Sequence, residues 1–294
     1  MKILVTGLTG QLGFDVKHEI ELRGDHSIEV VGVTRSDFDL TDSDAMKKFV
    51  TNAKPDVVIH CAAYTAVDKA EDEKDLAFAV NATATKNLAE ACKSIDATMI
   101  YISTDYVFPG DGDKFYSVDD PTDPQNAYGA SKLAGEKAVI ETLEKYFIVR
   151  ISWVFGINGK NFIKTMLKLS ETRDEVSVVA DQIGSPTYTV DLARLLVDMA
   201  VENDPKKFGI YHATNEGVCS WAELAEEVFK RSGKSTKVNP IKTEDYPTKA
   251  KRPKNSRLSK KKLDENNFER LPMWQDAVGR FLNELGRQGK NFFW

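Results

Sequence analysis

Tyr128 and Lys132 bracket the pentapeptide Tyr128-Gly129-Ala130-Ser131-Lys132. On a helix, residues four apart share a face, so the phenol and the ammonium point the same way. A cation beside a phenol favours the phenolate and draws its pKa below the usual value of about 10. Tyr128 is therefore expected to exchange a proton near neutral pH. A second polar group stands upstream, where Ser103-Thr104-Asp105 follows the apolar run Met99-Ile100-Tyr101-Ile102. Read as a strand, that run delivers the Thr104 hydroxyl to the carboxyl end of a sheet, where open α/β sheets bind ligands. A hydroxyl there can hydrogen-bond a substrate carbonyl.

A cofactor loop precedes both groups in the chain. Thr6-Gly7-Leu8-Thr9-Gly10-Gln11-Leu12-Gly13 follows the apolar run Ile3-Leu4-Val5 and opens a helical pattern. Gly7 permits a tight turn, Gly10 lets backbone approach a pyrophosphate, and Gly13 lets helix and strand pack closely. The amides of Gln11 and Leu12 would then face the phosphates at a positive helix end. An NAD site usually carries an acid after its second strand. Here Thr34-Arg35-Ser36 follows Val31-Gly32-Val33, and Arg35 suits a 2′-phosphate. The reading is NADPH, with NADH left open. Asp39, in Asp39-Leu40-Thr41-Asp42, has two readings: part of the cofactor site, or a helix cap.

These groups need a frame, and the periodicity provides one. Apolar runs at Ile3 to Val5, Ile28 to Val33, Val57 to Ile59, Met99 to Ile102 and Phe147 to Ile151 read as strands. Helical patterns lie between them: Gln11 to Arg23, Ser43 to Thr51, Glu71 to Ser94 and Ala130 to Lys145. In the long third pattern, Leu76, Ala79, Val80, Ala84, Leu88 and Ala91 form one apolar stripe. Strands apolar throughout are buried on both faces, as in a parallel sheet. Strict alternation of strand and helix predicts a doubly wound α/β fold. The second half adds helices at Phe162 to Ser170, Val190 to Val201 and Ser220 to Arg231, the last opened by a Ser220/Glu223 capping box. A late strand is expected at Gly209 to Ala213, and Met273 to Leu285 reads as amphipathic. The expected division is a cofactor domain over 1–155, with returns around 188–214. A smaller substrate lobe would take 156–187 and 215–294.

Composition excludes several function classes. The chain has 294 residues, 29% of them charged and 41% hydrophobic, which is a globular profile. A net charge of −5 offers no global footprint for nucleic acid. No apolar run approaches the roughly 20 residues of a membrane span, and the start turns glycine-rich too soon for a signal peptide. Cys61, Cys92 and Cys219 are scattered and odd in number, which fits a reducing, cytoplasmic setting. No metal site is expected. The dense Lys and Arg between Lys230 and Lys262 read either as a solvated surface or as an anion site.

The glycine loop, the hydroxyl after the fourth strand and the Tyr-x-x-x-Lys motif, in this order, resemble the extended short-chain dehydrogenase/reductases. Five further stretches narrow the resemblance to the dTDP-4-dehydrorhamnose reductase family. They are Cys61-Ala62-Ala63-Tyr64-Thr65-Ala66-Val67-Asp68-Lys69-Ala70-Glu71, Ser103-Thr104-Asp105-Tyr106-Val107-Phe108, Ser152-Trp153-Val154-Phe155-Gly156, Asp181-Gln182-Ile183-Gly184-Ser185-Pro186-Thr187 and Arg252-Pro253-Lys254-Asn255-Ser256-Arg257-Leu258. The resemblance runs from residue 1 to about Leu271. It implies an NAD(P)H-dependent oxidoreductase that reduces the C4 ketone of a dTDP-sugar to give dTDP-L-rhamnose. Tyr128 would donate a proton to O4, Lys132 would hold the nicotinamide ribose and tune Tyr128, and Thr104 would bond the sugar near O4. Asp105 and Trp153 would contact the sugar nucleotide. Gly10, Gln11, Leu12, Asp39, Leu40, Ala62, Ala63 and Tyr64 would line the cofactor. Asn81 matches an asparagine that supports the active-site helix, and is grouped with the cofactor residues. Relatives often carry an acid near position 30, where this chain has Val30, and that departure weakens an NADH assignment.

Other candidates carry plainer alternatives. Nucleotide-sugar dehydratases follow the Asp of this motif with Glu; here Tyr106 follows Asp105, which favours reduction. Arg252 and Arg257 suit a diphosphate clamp, with Arg252 preferred, or decorate a basic surface. Trp153 reads as a substrate contact or a core aromatic, Asp68 and Glu71 as helix caps before substrate contacts, and Gln182, Pro186 and Thr187 as a polar turn. His60 and Cys61 are expected to be structural. The competing functions are a non-catalytic NADP-binding regulatory subunit and a reductase or epimerase of another nucleotide sugar. A homodimer is compatible with the resemblance. Nothing points to nucleic acid or membrane.

Overall fold

The computed structural model describes residues 1–288, so residues 289–294 of the expected second lobe lie outside the described residues. Chain order is β1 (Lys2–Thr6), α1 (Gln11–Arg23), β2 (Glu29–Val33), α2 (Ser43–Ala53), β3 (Val57–His60), α3 (Lys74–Phe78), α4 (Ala84–Ser94), β4 (Thr98–Thr104), α5 (Ala127–Thr142) and β5 (Tyr146–Ile151). Then come β6 (Val154–Phe155), α6 (Phe162–Leu169), β7 (Glu175–Val179), β8 (Ile183–Gly184), β9 (Thr187–Tyr188), α7 (Thr189–Glu202), β10 (Gly209–His212), β11 (Cys219–Ser220), α8 (Trp221–Ser232), β12 (Lys237–Ile241), β13 (Asn255–Ser256), α9 (Lys261–Glu265) and α10 (Trp274–Gln288).

Among the described residues, the largest sheet has six strands in the order β2-β1-β3-β4-β5-β10, all parallel. Side chains alternate across a strand, so β1 sends Ile3 and Val5 to one face and Leu4 to the other. Ile3 and Val5 join Val16 and Ile20 of α1 and Leu192 and Leu196 of α7. Leu4 joins Met46 of α2, Leu88 of α4 and Val139 of α5. Both faces are thus covered by helices, as the apolar strands require. The chain leaves β1 toward β2 and returns to β3 on the other side of β1. That reversal opens a crevice at the carboxyl ends of β1 and β3.

A separate apolar cluster gathers Phe155, Met166, Val176, Val228, Val238, Trp274 and Phe281, from β6, α6, β7, α8, β12 and α10. The capping box of α8 forms: Glu223 N donates to Ser220 Oγ at 3.1 Å, and Ser220 N donates to Glu223 Oε2 at 2.6 Å. Leu263, Phe268 and Leu271, from the expected second lobe, instead pack on the main sheet's core.

Two elements differ from the sequence reading. The helix expected from Glu71 to Ser94 begins at Lys74 and widens into a π turn at Ala79–Thr83 before α4. A π turn lets the backbone bulge outward and redirect a side chain, here that of Asn81. Leu76, expected on the buried stripe, is 46% exposed and stands at the crevice. Helix α5 begins three residues earlier than Ala130, because Asn126 Oδ1 accepts from Gly129 N at 2.8 Å and caps it. This places Tyr128 in the first turn.

Candidate active site

A cleft of about 690 Å³ lies at the crevice. Its floor is the loop after β1. Gly7 holds φ +69°, and a Cβ there would stand 2.8 Å from Ala62 N. A Cβ on Gly13 would stand 2.4 Å from Gly7 O. Helix α1 starts at Gly10 with no side-chain cap, so its first amides keep their capacity to bind an anion. Gln11, Leu12, Ala62, Ala63 and Tyr64 line the same floor. Arg35, Asp39 and Leu40 line its far end. Asp39 Oδ1 accepts from Thr41 N at 2.8 Å and Thr41 Oγ1 at 2.6 Å. Asp39 therefore shapes the approach to α2 while also facing the cleft; Asp42 is the residue that caps α2. A floor of close backbone with uncapped amides and a cation at its end fits a dinucleotide carrying a 2′-phosphate.

Asn81 is not among the residues facing the cleft. It is 1% exposed and sits behind the floor. Its Oδ1 accepts from Tyr64 N at 2.8 Å, and its Nδ2 donates to Tyr64 O at 3.0 Å and to Ser131 Oγ at 3.0 Å. It ties the loop after β3 to α5. This corrects its grouping with the cofactor residues: the π turn points it at backbone.

Tyr128, Lys132, Thr104, Asp105 and Trp153 all line the cleft. Two anchors hold the start of α5: the Asn126 cap, and Glu71 Oε1, which accepts from Ala127 N at 2.7 Å. The Tyr128 ring stands edge-on to Tyr106 with centroids 5.5 Å apart, and the Thr104 hydroxyl beside it in the cleft favours the phenolate. Burial, with the Asp105 charge adding to it, pushes the Tyr128 phenol above its usual range. The downward pull expected from Lys132 is not among the influences on the phenol; the one that lowers it comes from Thr104. Lys132 is 2% exposed; its Nζ donates to Ile102 O at 2.7 Å and lies 4.0 Å from the centre of the Tyr101 ring. Burial lowers Lys132 to about 7, against the pull of Glu136. Glu136, one turn on, forms a buried fork with Arg150 at 2.9 and 2.7 Å and accepts from Ser103 Oγ at 2.5 Å.

Trp153 holds φ +50°, a left-handed conformation rare for a bulky residue. Its ring stacks on Trp221 at 3.8 Å, and so joins the cleft wall to the second apolar cluster. Arg252 does not itself face the cleft. Its guanidinium donates to Asp68 Oδ2 at 2.5 Å and to Tyr106 Oη at 3.0 Å, just behind the wall. The basic run is largely paired: Lys249 with Asp72, Lys254 with Asp181 at 3.3 Å, Lys260 with Glu216 at 3.6 Å. His60 and Cys61 are shifted by burial to about 3 and about 12 respectively, and His60 Nδ1 is 2.7 Å from Thr6 Oγ1. Tyr106, Leu76 and Val80 face the cleft unforeseen; for Tyr106 the signal was its place directly after Asp105.

Comparison with known proteins agrees with this geometry. A family model described as RmlD substrate binding domain matches residues 1–287. The spore coat polysaccharide biosynthesis protein SpsK of Bacillus subtilis is 40% identical over 96% of this chain and 97% of its own. The dTDP-4-dehydrorhamnose reductase of Escherichia coli K12 is 40% identical over 97% of this chain and 98% of its own. The crystal structure of dTDP-4-dehydrorhamnose reductase from Bacillus anthracis in complex with NADP superposes with a TM-score of 0.92. It is 41% identical and covers 96% of this chain and 99% of its own. With a match over nearly its whole length and relatives at this identity, the chain belongs to the RmlD substrate-binding-domain family.

Proposed function

We propose that this protein is a dTDP-4-dehydrorhamnose reductase, an oxidoreductase that uses NADPH to reduce the C4 ketone of dTDP-4-dehydro-L-rhamnose to dTDP-L-rhamnose. The observation that carries the reading is the phenol–hydroxyl pair Tyr128–Thr104 in the same cleft as the uncapped end of α1. Bound reduced nicotinamide supplies the hydride. Gly7, Gly10, Gln11, Leu12 and Gly13 would hold its diphosphate, and Arg35 its 2′-phosphate. Ala62, Ala63 and Tyr64 would complete the floor.

The chain's own residues do the rest. Tyr128 gives its phenol proton to O4 as the ketone becomes an alcohol. Thr104 bonds the same oxygen and stabilises the charge that develops on it. Lys132, set on α5 one turn from Tyr128, orients the ribose. Asp105 and Trp153 flank the sugar nucleotide. Arg252 acts at one remove by holding Tyr106 against the Tyr128 ring. Residues 1–155 with 188–214 would form the cofactor lobe, on which Leu263, Phe268 and Leu271 pack, and 156–187 with the rest of 215–288 the substrate lobe. Among the described residues no helix is long and apolar enough to cross a membrane. A cytoplasmic site and a homodimer remain part of this reading.

The test follows NADPH absorbance with purified protein and enzymatically generated dTDP-4-dehydro-L-rhamnose, beside other 4-keto nucleotide sugars. Oxidation that needs the named sugar supports the reading. Tight NADPH binding without oxidation by any keto-sugar would refute it in favour of a regulatory subunit.

A further inference from the structure

The first residue of α1 serves two parts of the molecule at once. Gln11 lines the cleft, and its backbone amide is one of those that α1 leaves uncapped. Its side chain serves the loop 156–161. Gln11 Oε1 accepts from Gly156 N at 3.0 Å and from Asn161 Nδ2 at 3.1 Å, partners 145 and 150 residues further on. Gly159, at φ +76°, lies against the same side chain, where a Cβ would stand 3.3 Å from Gln11 Cγ. Asn158 Nδ2 adds a bond to Thr9 O at 2.8 Å. The glycine loop that would hold the diphosphate is thus also the seat of a segment from the second half of the chain.

That segment continues the cleft wall that carries Trp153. Trp153 and Val154 line the cleft, and β6 joins them to Gly156. One side of β6 is held by β9, where Val154 pairs with Thr187 and Phe155 with Tyr188. Its far end is held by Gln11 through Gly156 N. A second support passes through Asn161. Its Oδ1 caps α6 by accepting from Lys164 N at 3.0 Å, while its Nδ2 is the group that bonds Gln11. Phe162, the first residue of α6, meets Trp221 with ring centroids 4.7 Å apart, and Trp221 backs Trp153 at 3.8 Å. Gln11 therefore touches both supports of Trp153: the chain that extends from it and the helix that braces the ring behind it.

Resting on the reductase reading, in which α1 takes the diphosphate and Trp153 flanks the sugar nucleotide, we propose that Gln11 is a positioning residue through which the two ligands tighten each other's binding. The two states are a wall docked on Gln11 and a wall released from it. A diphosphate on the α1 amides fixes Gln11 where its Oε1 meets both donors, and so favours the docked wall. A sugar nucleotide packed on Trp153 needs the docked wall and favours it in turn. Linkage makes the two effects equal: the factor by which the cofactor tightens the sugar nucleotide is the factor by which the sugar nucleotide tightens the cofactor. Two ordinary hydrogen bonds account for a factor of about ten.

Calorimetric titration with dTDP-L-rhamnose, alone and over saturating NADPH, reads the coupling without turnover, because product and reduced cofactor cannot react with each other. Wild-type protein is expected to bind the sugar nucleotide about tenfold more tightly when NADPH is present. Gln11→Leu keeps the backbone amide and removes the acceptor, so the ratio of the two affinities falls below about threefold, whatever the variant's affinity for NADPH alone. Asn161→Ser keeps the α6 cap, since a serine oxygen serves an N-cap as well, and removes the donor to Gln11. Its melting temperature and its affinity for NADPH alone stay at the wild-type values while the ratio drops, which a merely structural role would not produce. Should Gln11→Leu fail to hold NADPH, Asn161→Ser carries the test by itself. A ratio of one in wild-type protein that binds both ligands, or a wild-type ratio in Asn161→Ser, overturns the coupling alone. Wild-type protein that binds NADPH but shows no heat with dTDP-L-rhamnose and no turnover of the keto-sugar overturns the reductase reading, and the coupling with it.

Discussion

Replacing Gly7, Gly10 and Gly13 by alanine, one at a time, separates a loop shaped for the fold from a loop shaped for a ligand. At Gly7 the added methyl would stand 2.8 Å from Ala62 N and 2.9 Å from Ala62 Cα, in a left-handed backbone. A left-handed alanine costs about 1–2 kcal/mol, and overpacking against atoms that cannot rotate away about 1–3 kcal/mol. Gly7→Ala therefore loses roughly 2–5 kcal/mol. Gly13→Ala has no left-handed cost, but its methyl would stand 2.4 Å from Gly7 O, so the upper part of the overpacking range, about 3 kcal/mol, applies. At roughly 2–4 °C per kcal/mol for a large domain, both variants melt well below the wild type. Gly10 is different. Its nearest neighbour would be Gly7 O at 3.1 Å, and its φ is −81°. A shift of a few tenths of an ångström absorbs that contact, for less than about 1 kcal/mol. Yet Gly10 faces the cleft at the start of α1, where a diphosphate must come close to backbone. Gly10→Ala is expected to melt within about 3 °C of wild type but to bind NADPH about tenfold more weakly, or worse. Thermal melts and NADPH titrations by fluorescence measure both. Wild-type affinity in Gly10→Ala would show that no diphosphate lies on this helix end.

Tyr128→Phe keeps the ring edge-on to Tyr106 and deletes only the hydroxyl, so NADPH affinity should hold while turnover falls about 10²–10⁴-fold; an unchanged kcat removes Tyr128 from the chemistry. Glu136→Gln leaves Arg150, 3% exposed, without its counter-charge. A loss of about 3–5 kcal/mol is expected in denaturant melts, and a loss under about 1 kcal/mol would show the fork to be dispensable. Unfolded His60 and His212 titrate near 6.5, but burial holds both folded rings at about 3. Between those values only the unfolded chain takes up protons, so their contribution to stability falls as pH drops from 6.5 to 3. Asp15 and Asp105, raised to about 6 in the folded protein, oppose that slope between 3.8 and 6. Replacing His212 by a phenylalanine should flatten the acid limb of stability measured across that range, and an unaltered limb would place the titration elsewhere.

Much of the frame and part of the site were legible because their causes are local. The strands at Ile3 and Val57 announced themselves as apolar runs, since both sheet faces are covered. Tyr128 and Lys132 could be paired from helical spacing alone, and the loop from Gly7 to Gly13 from the conformations glycine permits. The start of α5 was missed because the Asn126 cap is a matter of one side-chain rotamer. The π turn at Ala79–Thr83 carries no compositional mark, and its purpose is set by Tyr64, 17 residues away from Asn81. The sign of the Tyr128 shift was misjudged for a related reason. Spacing puts Lys132 on the right face, but whether its charge or burial prevails depends on Ile102 and Tyr101, which the fold brings in from β4.

Other contacts that spacing could not reveal cross between the sheet domain and the later part of the chain. Gln11 Oε1 accepts from Gly156 N at 3.0 Å and from Asn161 Nδ2 at 3.1 Å, at the cofactor end of the cleft. Ser256 reaches Asp105 where the chemistry is expected, and Arg252 reaches Asp68 and Tyr106 behind the wall. These segments cannot slide past each other without giving up these bonds, each worth about 0.5–1.5 kcal/mol net, and more where a charge takes part. The same bracing explains how Trp153 keeps a left-handed backbone. That strain costs on the order of 1–3 kcal/mol, and it is countered by the Trp221 stack and by Thr187 N donating to Trp153 O at 3.1 Å. A wall held from both sides lets Thr104 and Tyr128 meet a ketone without rearranging, which is what stabilising a developing alkoxide by fixed groups requires.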